Sequence, residues 1–478
     1  MLRTTLATIC LALAPATAPS IPTSVDAYIE QYREATGLPG VAVAITRGAE
    51  VVHATGQGRS AVGDPITAET PMAVASVSKS FTALAIMQLA EKGKVILDQP
   101  ARRYLPEFTM ADPRSAKITI RQLLNQTSGM ADSAFPEKSL PQPSTLEGAV
   151  ARLRTAKLAA DPGTTFSYHN TNYQVAARLV EVVSGQPFAG YLKANVFEPL
   201  GMRHSTTINT DRDLPGSARG HLYVLGQPVA VPEPTAFGNG SGGVLSTAND
   251  MARWLIAQNT DLLSPKAVRE MRTPSEANQE YALGWTIGKT ARGTRVVEHG
   301  GDLFTSTAHQ LLMPDSGYGV AVMANTGMAF SDAHALMTGI VAILEGGSPQ
   351  LPSTNHQFLI DALFTLLTLV NIGLAARGTL RARRWSARHT GWQLWRLVPY
   401  LIPLMLCLTL APIHRVMAQG RDAMWIQLAY LYPTFMIWLV TAAAAGVIVI
   451  AARLWALAVG RTTGPDKSAP LRILRPTT

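Results

Sequence analysis

Residues 424–452 run for 29 positions without a single Asp, Glu, Lys or Arg. No other feature restricts the fold of this chain as much. A stretch that long and apolar partitions into hydrocarbon, where every backbone N–H and C=O must be paired within the segment. It is therefore expected to be a helix crossing a bilayer, with the span itself at about 430–452. Two further apolar stretches precede it, at 357–376 and 397–413. The second is short and carries Pro399 and Pro403, which makes it the weakest of the three. The sequence thus predicts three transmembrane helices within 357–452, after a Pro-, Ser- and Gly-rich linker at 348–356 and before a basic tail at 453–478.

The distribution of charge orients these helices. The whole chain carries a formal +9, yet residues from 351 onward hold 13 Lys and Arg against three Asp, leaving 28 basic and 29 acidic side chains in the first 350. The basic excess belongs to the membrane segment, so it reads as topology and argues against a nucleic-acid surface. Arg377, Arg381, Arg383, Arg384 and Arg388 crowd the first loop with no acid beside them. The positive-inside rule puts that loop and the tail in the cytoplasm, and the preceding domain outside. The other end of the chain agrees. Residues 1–20 have a basic start at Arg3, an apolar run from Leu6 to Ala14 and small residues at Ala16 and Ala18, the grammar of a secretory signal. Pro19 disfavours cleavage there, which leaves an uncleaved anchor as the alternative. Ile9 precedes Cys10, where a lipoprotein signal needs a small residue. The remaining cysteine, Cys407, falls in a membrane stretch, so the body of the protein has no thiolate site or disulfide framework.

Residues 22–347 have the pattern of one globular domain. A helix is expected from Val25 to Ala35, followed by strands at 41–45 and 51–53. A helix apolar on every face follows Ser76 through Ala90, too short and too closely bounded by charge to span a bilayer. Alternating segments at 283–288, 294–298, 307–313 and 318–324 read as antiparallel strands, and a helix from His334 to Leu344 closes the domain.

Three motifs in this domain carry chemistry. Ser76 and Lys79 sit three residues apart at the start of the buried helix, on one face of it. A desolvated Lys loses part of its preference for charge and can act as a base, while a helix N-terminus favours a developing alkoxide. Alone this is weak, because the spacing is expected by chance about once or twice in a chain this long, and an N-capping Ser followed by a surface Lys gives the same pattern. Tyr168-His169-Asn170 follows, with Tyr168 lying 92 residues beyond Ser76. A Tyr near a cationic Lys can carry a proton, and Asn170 projects to the same side of an extended segment to bind a substrate amide. By itself the motif fits an interior Tyr as well. His299-Gly300-Gly301 lies 131 residues further, at the end of a predicted strand. The two glycines permit close backbone approach, and the N–H of Asp302 can join that of Ser76 in an oxyanion hole. An ordinary turn is the competing explanation.

Together the three motifs resemble those of the serine β-lactamase-like family of penicillin-recognising hydrolases, in particular its class C branch. That branch includes D-Ala-D-Ala carboxypeptidases, D-aminopeptidases and esterases. The connecting segments Ile118–Leu124 into Thr127-Ser128-Gly129, and Gly242-Gly243-Val244-Leu245-Ser246-Thr247, match as well. The resemblance implies an α/β (α+β sandwich) fold, with a five-stranded antiparallel sheet flanked by helices and an all-helical subdomain. It implies Ser76 as the acylated nucleophile, Lys79 as its proton acceptor and Tyr168 as general acid/base. Asn170, His299, Gly300, Gly301 and Asp302 would contact substrate. No metal or cofactor is implied. β-Lactamases carry Lys where this chain has His299, and a His is mostly neutral near pH 7. With Asp302 beside it, weak β-lactamase activity and a preference for uncharged or amine-bearing acyl substrates are expected.

The sequence therefore predicts a multi-pass protein of the cytoplasmic membrane with an exported serine hydrolase domain. Its expected partners are a small-molecule or peptide substrate and the lipid bilayer, with no nucleic acid. An acyltransferase, or a penicillin-binding sensor that acylates without turnover, is the alternative.

Overall fold

The computed structural model describes residues 20–258, 262–352, 356–389, 391–418 and 420–462. The signal segment expected at 1–20 lies outside them apart from Ser20, as do Cys10 and the tail beyond Thr462.

Six antiparallel strands make the central sheet: β1 (Gly40–Arg47), β2 (Glu50–Gly58), β3 (Thr286–Lys289), β4 (Arg295–Asp302), β5 (Thr307–Met313) and β6 (Tyr318–Ala324). Their order is β2-β1-β6-β5-β4-β3. The sheet has one strand more than the five that were expected, because the four-residue β3 adds an edge by pairing with β4. Strand β1 pairs with β6, Val43 opposite Val322, so the two ends of the domain are closed into one sheet.

Alternation along these strands creates two layers. Val41, Val43 and Ile45 join Val320 and Val322 beneath the helices Ile21–Thr36 and Asp332–Leu344. Ala42, Ala44 and Ala321 face the other way, and their small side chains leave room for the helices Ser78–Glu91 and Ala248–Ala257. There Phe81 stacks on Trp254 with ring centroids 3.8 Å apart. Trp254 Nε1 donates to Gln310 Oε1, and Gln310 Nε2 donates to Ser80 Oγ, so a buried polar bridge fixes the Ser78–Glu91 helix to β5. That helix is buried around its circumference, as its uniform apolarity requires.

After the domain come three helices long and apolar enough to cross a membrane, at Gln357–Leu380, Trp392–Met417 and Pro433–Val459. The second extends beyond the 397–413 stretch because an irregular helical segment, Gly391–Leu401, leads into Ile402–Met417. The charge-free run 424–452 is not one helix. Trp425–Leu431 is separate, and Pro433 opens a new helix reaching Thr462.

Near the start of the first long apolar helix, a side chain such as Asp361 is expected from the sequence to reach toward a bilayer surface. Instead it is fully buried. Its carboxylate accepts from Leu225 N at 2.9 Å, Thr434 Oγ1 at 2.7 Å and Gln357 Nε2 at 3.1 Å. It thereby fastens the turn of the hairpin formed by His221–Val224 and Gln227–Ala230 to two of the long apolar helices.

Candidate active site

Ser76 does not belong to the buried helix proper. It occupies a single 3₁₀ turn, Ala75–Val77, that feeds into Ser78–Glu91. Ala75 adopts a positive φ of 48°, a conformation rare and strained for a residue with a side chain. The start of the helix behind the turn is held by the short strand Val244–Ser246 and by the loop before it. Ser78 Oγ accepts from Val244 N at 2.9 Å, and Thr82 Oγ1 donates to Gly240 O at 2.6 Å. The Gly242-Gly243 segment singled out in the sequence is thus the far wall of the nucleophile turn.

Lys79 is completely buried. Its Nζ donates to Ser76 Oγ at 3.0 Å, Asn170 Oδ1 at 2.9 Å and Ser241 O at 2.8 Å. Burial drives its pKa well below the ordinary lysine value; Glu137 opposes that shift, and Arg421 and Lys138 reinforce it. Tyr168 presents its ring 4.8 Å from Lys79 Nζ. Burial raises the phenol's pKa despite the opposing influence of Ser76 and Arg421, so the hydroxyl is protonated at neutral pH.

The Tyr168 segment is pinned by Gln126, which follows the Ile118–Leu124 stretch. Gln126 Oε1 accepts from His169 N at 3.1 Å and Asn172 Nδ2 at 2.6 Å, and its carbonyl accepts from Ser167 N at 2.9 Å. Asn170 is not on an extended segment. His169 is extended, and Asn170 begins the helix Asn170–Ser184. Its amide links Lys79 to Glu137, because Nδ2 donates to Glu137 Oε1 at 2.8 Å.

Strand β4 forms the opposite wall. His299 is buried, with Nδ1 2.6 Å from Gly300 O and Nε2 3.0 Å from the Tyr281 hydroxyl. The carbonyl can only accept, so this network puts the proton on Nδ1 and leaves Nε2 to accept from Tyr281. Burial, with Lys79 adding to it, pushes the imidazole pKa down to about 3. His299 is neutral, as expected from the sequence. Gly301 lies against the nucleophile turn, and a Cβ there would be 2.4 Å from Val74 O and 3.1 Å from Ser76 N. Asp302, next along, is exposed at the end of β4. The structure therefore brings Ser76, Lys79, Tyr168, Asn170, His299 and Gly301 together, with Asp302 next along β4, whereas Gly300, expected to contact substrate, faces His309.

Sequence reasoning missed Ser241, Tyr281, Glu137, Asp132 and Arg421. Ser241 adjoins the Gly242-Gly243 motif and was within reach. Tyr281 packs against Phe166, Tyr168 and His299 with centroids 5.4, 6.0 and 5.7 Å away, but nothing in its local sequence marks it. Glu137 and Asp132 flank His169, with His169 Nε2 3.2 Å from Asp132 Oδ1 and Nδ1 3.8 Å from Glu137 Oε2. These three are the group among the described residues whose atoms could converge on a metal ion. The fit is poor. Glu137 already accepts from Asn170, Thr171 N and Thr171 Oγ1, and Asp132 Oδ2 accepts from Asp422 N with Arg421 Nε 3.5 Å away. Burial depresses the pKa of His169, but Glu137 and Asp132 outweigh it and raise the value overall, and Arg421 already stands beside Asp132.

Comparison with known proteins gives consistent results. A family model described as Beta-lactamase matches residues 25–339. Protein flp of Staphylococcus aureus (strain MW2) is 26% identical over 415 residues, covering 81% of this chain and 80% of its own length. The octameric penicillin-binding protein homologue from Pyrococcus abyssi superposes with a TM-score of 0.59 at 28% identity, covering 68% of this chain and 78% of that one. A class C beta-lactamase shares the fold, with a TM-score of 0.58 at 20% identity over 69% of this chain and 97% of its own.

Proposed function

This chain belongs to the Beta-lactamase family, and from that premise we propose that it is a membrane-anchored, extracytoplasmic serine hydrolase working through an acyl-Ser76 intermediate. The observation that carries the proposal is the geometry at Lys79 Nζ. A neutral amine has two protons and one lone pair. In the structure Nζ donates to Ser76 Oγ, Asn170 Oδ1 and Ser241 O; once it has lost a proton, Asn170 and Ser241 hold the two that remain and the lone pair faces Ser76 Oγ. Lys79 then accepts the Ser76 proton as Oγ attacks an acyl carbon. The backbone N–H groups of Ser76 and Asp302 hold the oxyanion. Tyr168, protonated and beside Ser76, passes a proton to the leaving group and later draws one from the attacking water. Asn170 and, on β4, His299 and Gly301 frame the substrate.

The neutral His299 supports peptides, amides or esters without a carboxylate beside the scissile bond as substrates, over penicillins. Membrane placement rests on the three long apolar helices. Their orientation rests on two features. The loop between the second and third helices contacts the hydrolase domain. The Arg-rich segment lies at the other end of the first helix, and Arg377, Arg381, Arg384, Arg388 and Arg453 line a cavity of about 660 Å³ there with no acidic residue in its wall.

The test is intact-mass spectrometry of the full-length protein after treatment with a fluorophosphonate. A single adduct that maps to Ser76, is lost in Ser76→Ala and is weakened in Lys79→Ala is expected. An adduct surviving Ser76→Ala refutes the assignment.

A further inference from the structure

The loop joining the second and third membrane helices is inserted beside the catalytic tyrosine. The Arg421 guanidinium donates to the Tyr168 carbonyl oxygen and lies 5.5 Å from the centroid of its ring. Asp422, next to it, is buried. Its N–H donates to Asp132 Oδ2 at 3.0 Å, and its carboxylate accepts from Ser139 N at 3.1 Å and from the Ser139 hydroxyl. Asp132 and Ser139 bracket Glu137 in the sequence, so the loop is fastened on both sides of the carboxylate that supports Asn170.

From Arg421 a continuous row of groups runs inward. Arg421 Nε is 3.5 Å from Asp132, Asp132 is 3.2 Å from His169, and His169 is 3.8 Å from Glu137. Glu137 accepts from Asn170 at 2.8 Å, and Asn170 accepts from Lys79 at 2.9 Å. Basic and acidic side chains alternate along this row as far as Glu137. Without Arg421 the buried cluster of Asp132, His169, Glu137 and Lys138 is one unit more negative, an added excess a few ångströms from Lys79. Such an excess favours a protonated lysine, which cannot take the Ser76 proton.

We propose that the membrane module supplies part of the active site: Arg421, carried on the loop between the second and third membrane helices, is a positioning residue that holds Tyr168 and balances the buried carboxylates behind Lys79. The proposal rests on the hydrolase reading above. It makes the hydrolase dependent on the docked state of its own membrane loop, a dependence that soluble relatives lacking such a loop cannot have.

The effect on Lys79 has a calculable size. Lys79 Nζ and the Arg421 guanidinium are 4.8 and 5.5 Å from the same ring centroid, so the two charges are at most about 10 Å apart. At an effective dielectric constant of about 20 this separation corresponds to about one pH unit. The titratable groups facing Lys79 and Tyr168 are Glu137 and Lys138, with Asp132 and His169 behind them, His299 and Asp302 from β4, and Tyr173 and Tyr281. All are kept in the experiment.

Full-length protein in detergent or nanodiscs is labelled with a fluorophosphonate across a pH series, comparing wild type with Arg421→Gln, Arg421→Lys and Arg421→Ala. Gln keeps a donor for the Tyr168 carbonyl without the charge, and Lys keeps the charge. In Arg421→Gln and Arg421→Ala the acidic limb of the labelling rate should move up by about one pH unit, and Arg421→Lys should keep it near the wild-type position. If Arg421→Ala does not fold, the comparison of Gln with Lys decides alone. A wild-type limb in Arg421→Gln overturns the proposal, as does an equal loss in Gln and Lys with no shift. Wild type that is not labelled at Ser76 overturns the hydrolase reading itself, a result distinct from either.

Discussion

Gly301→Ala offers a sharp test of the site because its neighbour Gly300 serves as the control. A Cβ at 301 would lie 2.4 Å from Val74 O, 3.0 Å from Ala75 Cβ and 3.1 Å from Ser76 N. Comfortable contacts between such atoms begin near about 3.5 Å, so strand and nucleophile turn must separate by about 1 Å. Two of the three obstacles are backbone atoms, which cannot rotate away. Misplacing reacting groups by about 1 Å can lower a rate about 10²-fold, and loss of an oxyanion donor lowers it by about 10²–10³, or roughly 3–4 kcal/mol. Overpacking itself destabilises a fold by about 1–3 kcal/mol, which a domain with this much buried core should survive. At Gly300 an added Cβ would meet only His309 ring atoms at 3.5 and 3.7 Å, ordinary contacts. The assay is the second-order rate constant for fluorophosphonate labelling of Ser76, read beside a thermal melt of each variant. Gly301→Ala should lose at least about 10² in rate while folded, and Gly300→Ala should stay near wild type. Wild-type labelling of Gly301→Ala, or an equal loss in both variants, would refute the placement of β4 against the nucleophile turn.

Three further outcomes are expected. The labelling rate should fall as pH drops through a single ionisation below 10.5, because Lys79 must be neutral to accept a proton and burial lowers its pKa; this limb should persist in His299→Asn, since the imidazole is already neutral, and a pH profile that loses it there would show the base to be misassigned. Nitrocefin turnover should stay below the roughly 1–10³ s⁻¹ of ordinary enzymes, and turnover within that range would contradict the consequence drawn from a neutral residue at 299. Asp361→Ala leaves Leu225 N and Thr434 Oγ1 without their acceptor, so the melting temperature in detergent should drop by an amount matching about 1–3 kcal/mol, and an unchanged melt would mean that this link does not hold the domain to its helices.

The family was legible in the sequence because each of its motifs is short and local. Ser76 and Lys79 are three residues apart, and their relation follows from helical geometry alone. Two glycines after a strand likewise announce a close backbone approach. The strands at 307–313 and 318–324 were visible for the same reason, through the local pattern that reads as antiparallel strands. Membrane helices declare themselves through length and lack of charge.

What the sequence could not supply was long-range pairing. Nothing near Asp361 reveals that Leu225 N will meet its carboxylate, so a lone acid at a membrane boundary reads as a surface group. Glu137, Tyr281 and Arg421 lie in segments without a motif, and each reaches the site only because distant elements pack together. Asn170 shows the division most plainly. Its presence beside Tyr168 was readable from local order, but its bonds to Lys79 and Glu137 were set by a helix start and by a loop 33 residues upstream. Local spacing fixes which reactive groups are near one another along the chain. Burial, which decides their charge, is a property of everything that folds over them, and here that includes a loop of the membrane module.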